Sequence, residues 1–252
     1  MKKLFILVIL GFMCVAGRLP GVAAAEIQMT MNPDQILKGA AFNGRQVQLT
    51  GTLPADAEAI IRVTGQAEHR KLKEKGRALG FLWMNRGAVE ISGVPSVFLF
   101  YPPEGEGSSW SVPGVGLDAV RNQARIESEE GHIALLFDEF VKLKQKSGLY
   151  GIFPGLVAYG TPSGGEKTFQ CTLTLPSALP TGTYRLEVIA VKDHSIVSRA
   201  TREIEAKEVG IPAFISRLAF DHGTLYGVLA VIIAVLAGLL TGVLFKGEKG
   251  AH

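Results

Sequence analysis

The stretch KTFQCTLTL, residues 167–175, alternates without interruption. Phe169, Cys171, Leu173 and Leu175 fall on one side, and Thr168, Gln170, Thr172 and Thr174 on the other. Successive side chains of a strand point to opposite faces, so this period of two describes a strand with one face in a core and one in water. Cys171 then reads as a small buried hydrophobe rather than a reactive thiol. Just downstream, LPTGTYRLEVIAVKD (179–193) enters a second strand through a Pro/Gly turn. Asp193-His194 is the next turn, and Ser195–Glu205 the returning strand of a hairpin.

Upstream, the same short alternating segments recur at Ile27–Met31, Gln46–Thr50, Ala59–Thr64, Phe81–Met84, Val89–Ser92 and Val97–Tyr101, separated by Gly, Pro, Asn and Asp. Many short strands without intervening helices predict a mainly β, Ig-like antiparallel sandwich. The period changes after Pro102-Pro103 and the polar loop that holds Trp110. Leu117–Ser128 and His132–Lys146 read as helices, a helical insertion over about 115–148. In the second, Ile133, Leu136, Phe137, Phe140 and Val141 recur at helical spacing. Lys142, Lys144 and Lys146 suit its C-terminal end, and Gly148 can stop it.

Two apolar stretches bracket this region. Leu4–Val15 follows Lys2 and Lys3 and leads to Ala23-Ala24-Ala25, the pattern of a signal peptide over residues 1–25. Thr224–Phe245 is uncharged, and as a helix it reaches roughly 33 Å, enough to cross a bilayer. The expected organisation is an ectodomain at 26–211, a juxtamembrane helix at 212–223, a span at 224–245 and a tail at 246–252. Phe214, Ile215 and Leu218 share one side of the juxtamembrane helix, which suits a position along the headgroups, with Tyr226 at the outer end of the span. Lys246 and Lys249 follow the span, as the positive-inside rule expects of a cytoplasmic end. The predicted location is a bacterial inner membrane, crossed once, with the ectodomain in the periplasm.

Residues 1–25 carry Lys2, Lys3 and Arg18 but no acid, so without them basic and acidic residues balance at 23 each. That balance argues against a nucleic-acid partner. Cys14 leaves with the signal peptide, and Cys171 has no partner for an intrachain disulfide. Histidines stand apart at 69, 132, 194, 222 and 252, and there is no HExxH, CxxC or GxSxG. Met29 and Met31 are expected to face the core rather than a copper ion. The sequence therefore predicts no catalytic residues, no metal and no cofactor.

Three features point to contacts instead. Ala230, Ala234, Gly238 and Gly242 recur every fourth residue, a small-residue stripe against which another helix can pack closely. His69, Lys71, Lys73, Lys75 and Arg77 alternate, and on a strand would form a basic ribbon facing an anion or acidic headgroups; on an edge strand the same lysines would deter edge pairing. Trp110 is a candidate loop contact.

The segments KEKGRALGFLWMN (73–85), VPSVFLFY (94–101), KSGLYG (146–151), LPTGTYRLEV (179–188) and TLYGVLAVIIAVLAG (224–238) together resemble the transmembrane-protein family first described from alphaproteobacteria, Alph_Pro_TM. The resemblance covers nearly the whole chain after residue 25. It implies an exported single-pass protein associated with permeases of the sulfite-exporter TauE/SafE type. The functional expectation is a non-enzymatic accessory or binding protein, partnered by a membrane protein or by a second copy through the span. An envelope assembly protein that binds other exported proteins is the alternative class, and a periplasmic enzyme the third.

Overall fold

The computed structural model describes residues 27–78, 82–105, 112–128 and 133–245, with backbone alone at 74–78 and 82–86. The signal-peptide segment, Trp110 and the tail lie outside the described residues. Strands dominate, as the alternation predicts, and they build three layers.

The first sheet is antiparallel throughout. It runs β1 (Gln28–Asn32), β3 (Arg45–Pro54), β11 (Glu166–Leu175) and β10 (Val157–Tyr159). Phe169, Cys171, Leu173 and Leu175 are buried, as are Val47 and Leu49 of β3. Thr168, Gln170, Thr172 and Thr174 are exposed, together with Gln46, Gln48 and Thr50 of β3 and Gln28, Thr30 and Asn32 of β1. β3 runs past Thr50, the expected end, through Gly51. A Cβ there would stand 2.1 Å from the carbonyl oxygen of Gln28 and 2.6 Å from the Phe169 ring. Glycine at this position therefore marks close backbone approach within a strand, not a break in it.

The second sheet holds six strands in the order β2 (Gln35–Lys38), β13 (Ser195–Glu208), β12 (Gly182–Lys192), β4 (Glu58–Thr64), β7 (Phe98–Tyr101) and β9 (Tyr150–Ile152). Its two outer pairings, β13 with β2 and β7 with β9, are parallel. Both faces are covered at the centre, which explains why β4 and β7 lack the polar alternation of β11. Ala59, Ile61, Val63, Leu99 and Tyr101 join the core shared with the first sheet, while Ile60, Phe98 and Phe100 join a second core behind it. Two tyrosines stitch the sandwich across the first core. The Thr174 N–H donates to Tyr101 Oη at 3.1 Å, and the Ala59 N–H donates to Tyr159 Oη at 2.8 Å. At the start of β12 the Tyr184 hydroxyl donates to the carbonyl of Pro180, tying the LPTG turn to its strand. The β12–β13 hairpin turns at Asp193 and His194 with φ of 48° and 60°, the left-handed pair that a two-residue type I′ turn requires.

The third layer combines a small sheet, β5 (Ala67–Ala78), β6 (Leu82–Pro95) and β8 (Arg125–Ser128), with α1 (Leu117–Gln123) and α2 (Ile133–Lys146). Phe137, Phe140 and Val141 of α2 are buried against Phe98, Phe100 and Ile189. Each of the two phenylalanines contributes roughly 1.5–3 kcal/mol by leaving water. Two expectations are corrected here. The helix expected over Leu117–Ser128 ends at Gln123, because Ala124 turns extended and Arg125–Ser128 pairs with Val89–Ser92, setting Ile126 opposite Ile91 over the second core. The two strands expected at Phe81–Met84 and Val89–Ser92 are one strand, β6, which accommodates Gly93 at φ 75° where its pairing register shifts.

Beyond β13 the chain forms α3 (Ile211–Asp221) and, after His222, α4 (Gly223–Phe245).

Candidate interaction surfaces

The candidate anchor is α4. Its 23 residues span about 35 Å at the helical rise, and all are exposed. An uncharged helix of that length without protein cover suits a bilayer and is unsuited to water. Thr241 Oγ1 donates within its own helix, 2.9 Å from the carbonyl of Ala237, so its hydroxyl is satisfied without solvent. Ala230, Ala234, Gly238 and Gly242 are exposed along α4, and added Cβ atoms at the two glycines would meet nothing within 4 Å. A neighbouring helix can therefore reach the backbone. α3 leads into this anchor with Ile211, Phe214, Ile215 and Phe220 exposed, while Leu218 is half-buried. Ser216 Oγ donates to Glu208 Oε2 at 2.7 Å, linking α3 to the end of β13.

The basic residues of β5 do lie on a strand. His69, Lys71 and Lys73 are exposed and alternate along one face, because both residues skipped in the pairing, Arg86 and Gly93, belong to β6. The side chains of Lys75 and Arg77 lie outside the described residues. The ribbon is not purely basic, however. Glu90 of β6 sits opposite Lys71, forms an ion pair with it and lies 3.6 Å from His69 Nε2, and Glu127 of β8 is paired beside Glu90. The hydrogen bond and charge of Lys71 hold the Glu90 carboxyl below its usual range, and Glu90 raises Lys71 in turn. Two acids thus share the face with the cations, which weakens the field an anion would meet.

A cleft of about 520 Å³ opens between the second sheet and α1, lined among others by Arg62, Phe98, Val120, Arg185 and Glu187. One of its two arginines is already engaged. Arg62 Nε donates to Glu187 Oε2 at 2.8 Å, its Nη2 reaches the same oxygen, and its Nη1 donates to the Val115 carbonyl at 3.0 Å. Arg199 approaches the other Glu187 oxygen at 3.7 Å. These contacts make Arg62 a structural cation that fastens the β4–β12 pair to the loop before α1.

The matching family model covers residues 26–247, from just before β1 to just past α4, and carries the description "Putative transmembrane protein (Alph_Pro_TM)". The chain belongs to this family. No curated protein matches it. Membership and the one long apolar helix among the described residues together make the molecule a membrane protein with a β-rich body and one candidate C-terminal span.

Within that frame, Cys171 is 1% exposed, and burial pushes its thiol up to about 12, which disfavours the thiolate in the folded chain. Among the described residues, no three His, Cys, Asp or Glu side chains gather as metal ligands. Met31 is buried in the first core and Met29 packs against its edge.

Sequence reasoning missed Lys144. Instead of lying at the solvated end of α2, it is 6% exposed, forms an ion pair with Glu68 and donates to the Ser96 carbonyl at 3.1 Å, over the rings of Phe140 and Tyr150. The available signal was position: Lys144 follows Phe137, Phe140 and Val141 on the buried stripe of α2.

Proposed function

We propose that this protein is a non-enzymatic accessory subunit, held by α4 at the periplasmic side of a bacterial inner membrane, whose span packs against a multi-pass permease for small anions. The observation that carries the reading is the bare small-residue stripe on α4. A lone anchor has no need of a groove, whereas close backbone approach is how spans associate when lipid removes any hydrophobic drive between them. Orientation rests on sequence: Lys246 and Lys249 follow the span, and residues 1–25 have the pattern of a signal peptide. The small-anion permease comes from the sulfite-exporter association that the family resemblance implies. Glu90 and Glu127 temper the β5 ribbon, and Arg62 is occupied by Glu187. Recognition of the transporter is therefore assigned to the span, and the β-rich body is left to a separate contact.

The test is crosslinking in intact membranes from single cysteines placed along α4, followed by mass spectrometric identification of the adduct. A multi-pass transporter captured from the stripe positions supports the reading. Capture only of soluble exported proteins through the body supports an assembly role instead, and capture of the chain itself a homodimer.

A further inference from the structure

The short helix between the body and the span turns its apolar residues outward. Ile211, Phe214 and Ile215 of α3 are 69%, 60% and 47% exposed, and Leu218 is half-buried. At 3.6 residues per turn these four fall within about 100° of one another around the helix axis, and Ser216 lies roughly 150° from their centre. Ser216 is the residue that meets the body, its Oγ donating to Glu208 Oε2 at 2.7 Å at the end of β13. Spacing alone puts Phe214, Ile215 and Leu218 on one side; the Glu208 contact adds that this side faces away from the body. Such a face stays wet unless something outside the β-rich body covers it.

Chain connectivity decides what the cover is. One residue, His222, separates Asp221 of α3 from Gly223 of α4, and its φ of −133° and ψ of 51° break the helix there. Two residues reach at most about 7 Å, so wherever α4 crosses a bilayer the C-terminal end of α3 is at the outer headgroup layer. That layer is about 5–8 Å deep on each side of a bilayer. α3 has 11 residues and is about 17 Å long. Standing upright, it would carry Ile211, Phe214 and Ile215 out into water; lying along the surface, it keeps all of them in the layer, turned toward the acyl chains. The remaining side chains suit the same pose. Arg217 and Asp221, both exposed, flank the apolar side, with Asp221 in the last turn beside the start of the span. Phe220, 89% exposed, is on the opposite side, three residues before Gly223, at the depth where aromatic rings gather.

We infer that α3 is an interfacial helix, sunk into the outer headgroup layer along its Ile211, Phe214, Ile215 and Leu218 side, and that it seats the end of β13 on the bilayer. Its partner is the lipid surface itself rather than a second protein. Continuity with α4 favours lipid, because every inserted molecule brings this face to the headgroups, whereas a protein must still find it. The helix is then held from both sides, by Glu208 above and by acyl chains below, so the body rests against the membrane and does not swing on a stalk. The inference rests on α4 being the span and not on a permease partner.

The experiment uses the full chain from Glu26, carrying Cys171→Ala, in lipid nanodiscs. Nitroxide labels on single cysteines at Phe214, Ile215 and Leu218, at Ala213 and Ser216, and at Leu236 in mid-span are read for collision with oxygen, which concentrates among acyl chains, and with a water-soluble nickel chelate. Labels at Phe214, Ile215 and Leu218 should show an oxygen-to-nickel ratio at least threefold above those at Ala213 and Ser216. Phe214→Ser with Ile215→Ser should bring the Leu218 ratio down to aqueous values and leave Leu236 unchanged. Where a label disturbs α3, the unlabelled chain is irradiated with a lipid carrying a diazirine in its acyl chain, and adducts are expected on the apolar side of α3 as well as on α4. Aqueous ratios on both sides of α3 with Leu236 in lipid, a Leu218 ratio indifferent to the serines, or adducts confined to α4 would overturn this inference alone. Aqueous ratios at Leu236 as well would overturn the anchor and the accessory reading with it. Labels at Phe214 and Ile215 shielded from both reagents would mean that protein, in this preparation a second copy, covers the face, and would overturn the lipid assignment.

Discussion

Arg62 of β4 and Glu187 of β12 form a buried ion pair, their side chains 13% and 6% exposed, on the face of the second sheet that looks toward α1. Removing one partner leaves the other charge in a poorly hydrated place. Glu187→Leu and Arg62→Leu should each therefore destabilise the fold, the former by about 3 kcal/mol, whereas the two combined should cost clearly less than their sum. Chemical denaturation of the single and double variants, arranged as a cycle, measures the difference. A loss in the double variant equal to the sum of the two single losses would show that the pair contributes no coupling.

Gly51 tests the close approach between β1, β3 and β11. Its absent Cβ would overlap backbone oxygen of Gln28, which cannot rotate away. Gly51→Ala should cost about 1–3 kcal/mol, as overpacking of a tight site usually does, despite the better strand propensity of alanine. A neutral result in thermal unfolding would mean that β1 can shift aside.

Cys171 gives the fold a pH dependence of known sign. Burial pushes its thiol up to about 12 in the folded chain, from 9.0 for a free thiol. Above pH 9 the unfolded chain loses this proton and the folded chain keeps it, so the unfolded state gains and stability falls as pH rises. The thiol alone should remove about 1 kcal/mol between pH 9 and 10. Cys171→Ala should flatten that slope, and thiol reagents should leave the native protein unlabelled at pH 8 while labelling it promptly in denaturant.

On the third sheet, Lys71→Gln should let the Glu90 carboxyl return upward toward its ordinary range, since the lysine's hydrogen bond and charge are the chief causes of its depression. Carboxyl carbon titration by NMR reads this directly, and the shift should shrink in high salt because Lys71 is exposed and Glu90 is partly so. An unchanged titration would separate Glu90 from the ribbon.

The strands most legible in the sequence are those with one wet face. In β11 the Thr and Gln rows mark solvent as clearly as Phe169 and Leu173 mark the core. Legibility falls where burial is two-sided or pairing is remote. Nothing local says that Phe98 and Phe100 serve a different core from Leu99 and Tyr101, because that depends on α2 arriving some 40 residues later. Arg125–Ser128 becomes a strand only because β6 is there to pair with it. The small-residue stripe was readable from spacing alone. The tempering of Lys71 by Glu90 was not, because it depends on a register fixed by the positions where β6 skips a residue. The Thr and Gln rows were visible strand by strand, but the order β1-β3-β11-β10 is what joins them into one surface.

The most direct test of the accessory reading is the glycine pair of α4. A four-residue spacing drifts about 40° per step around the helix, so a partner packed on Gly238 and Gly242 crosses right-handed and at close range, where larger side chains cannot fit. Gly238→Ile together with Gly242→Ile should abolish crosslinking to the membrane partner, while the amounts of exported and membrane-inserted protein stay unchanged. Undiminished crosslinking in the double variant would contradict the account, because the partner would then be held by the β-rich body and not by the span.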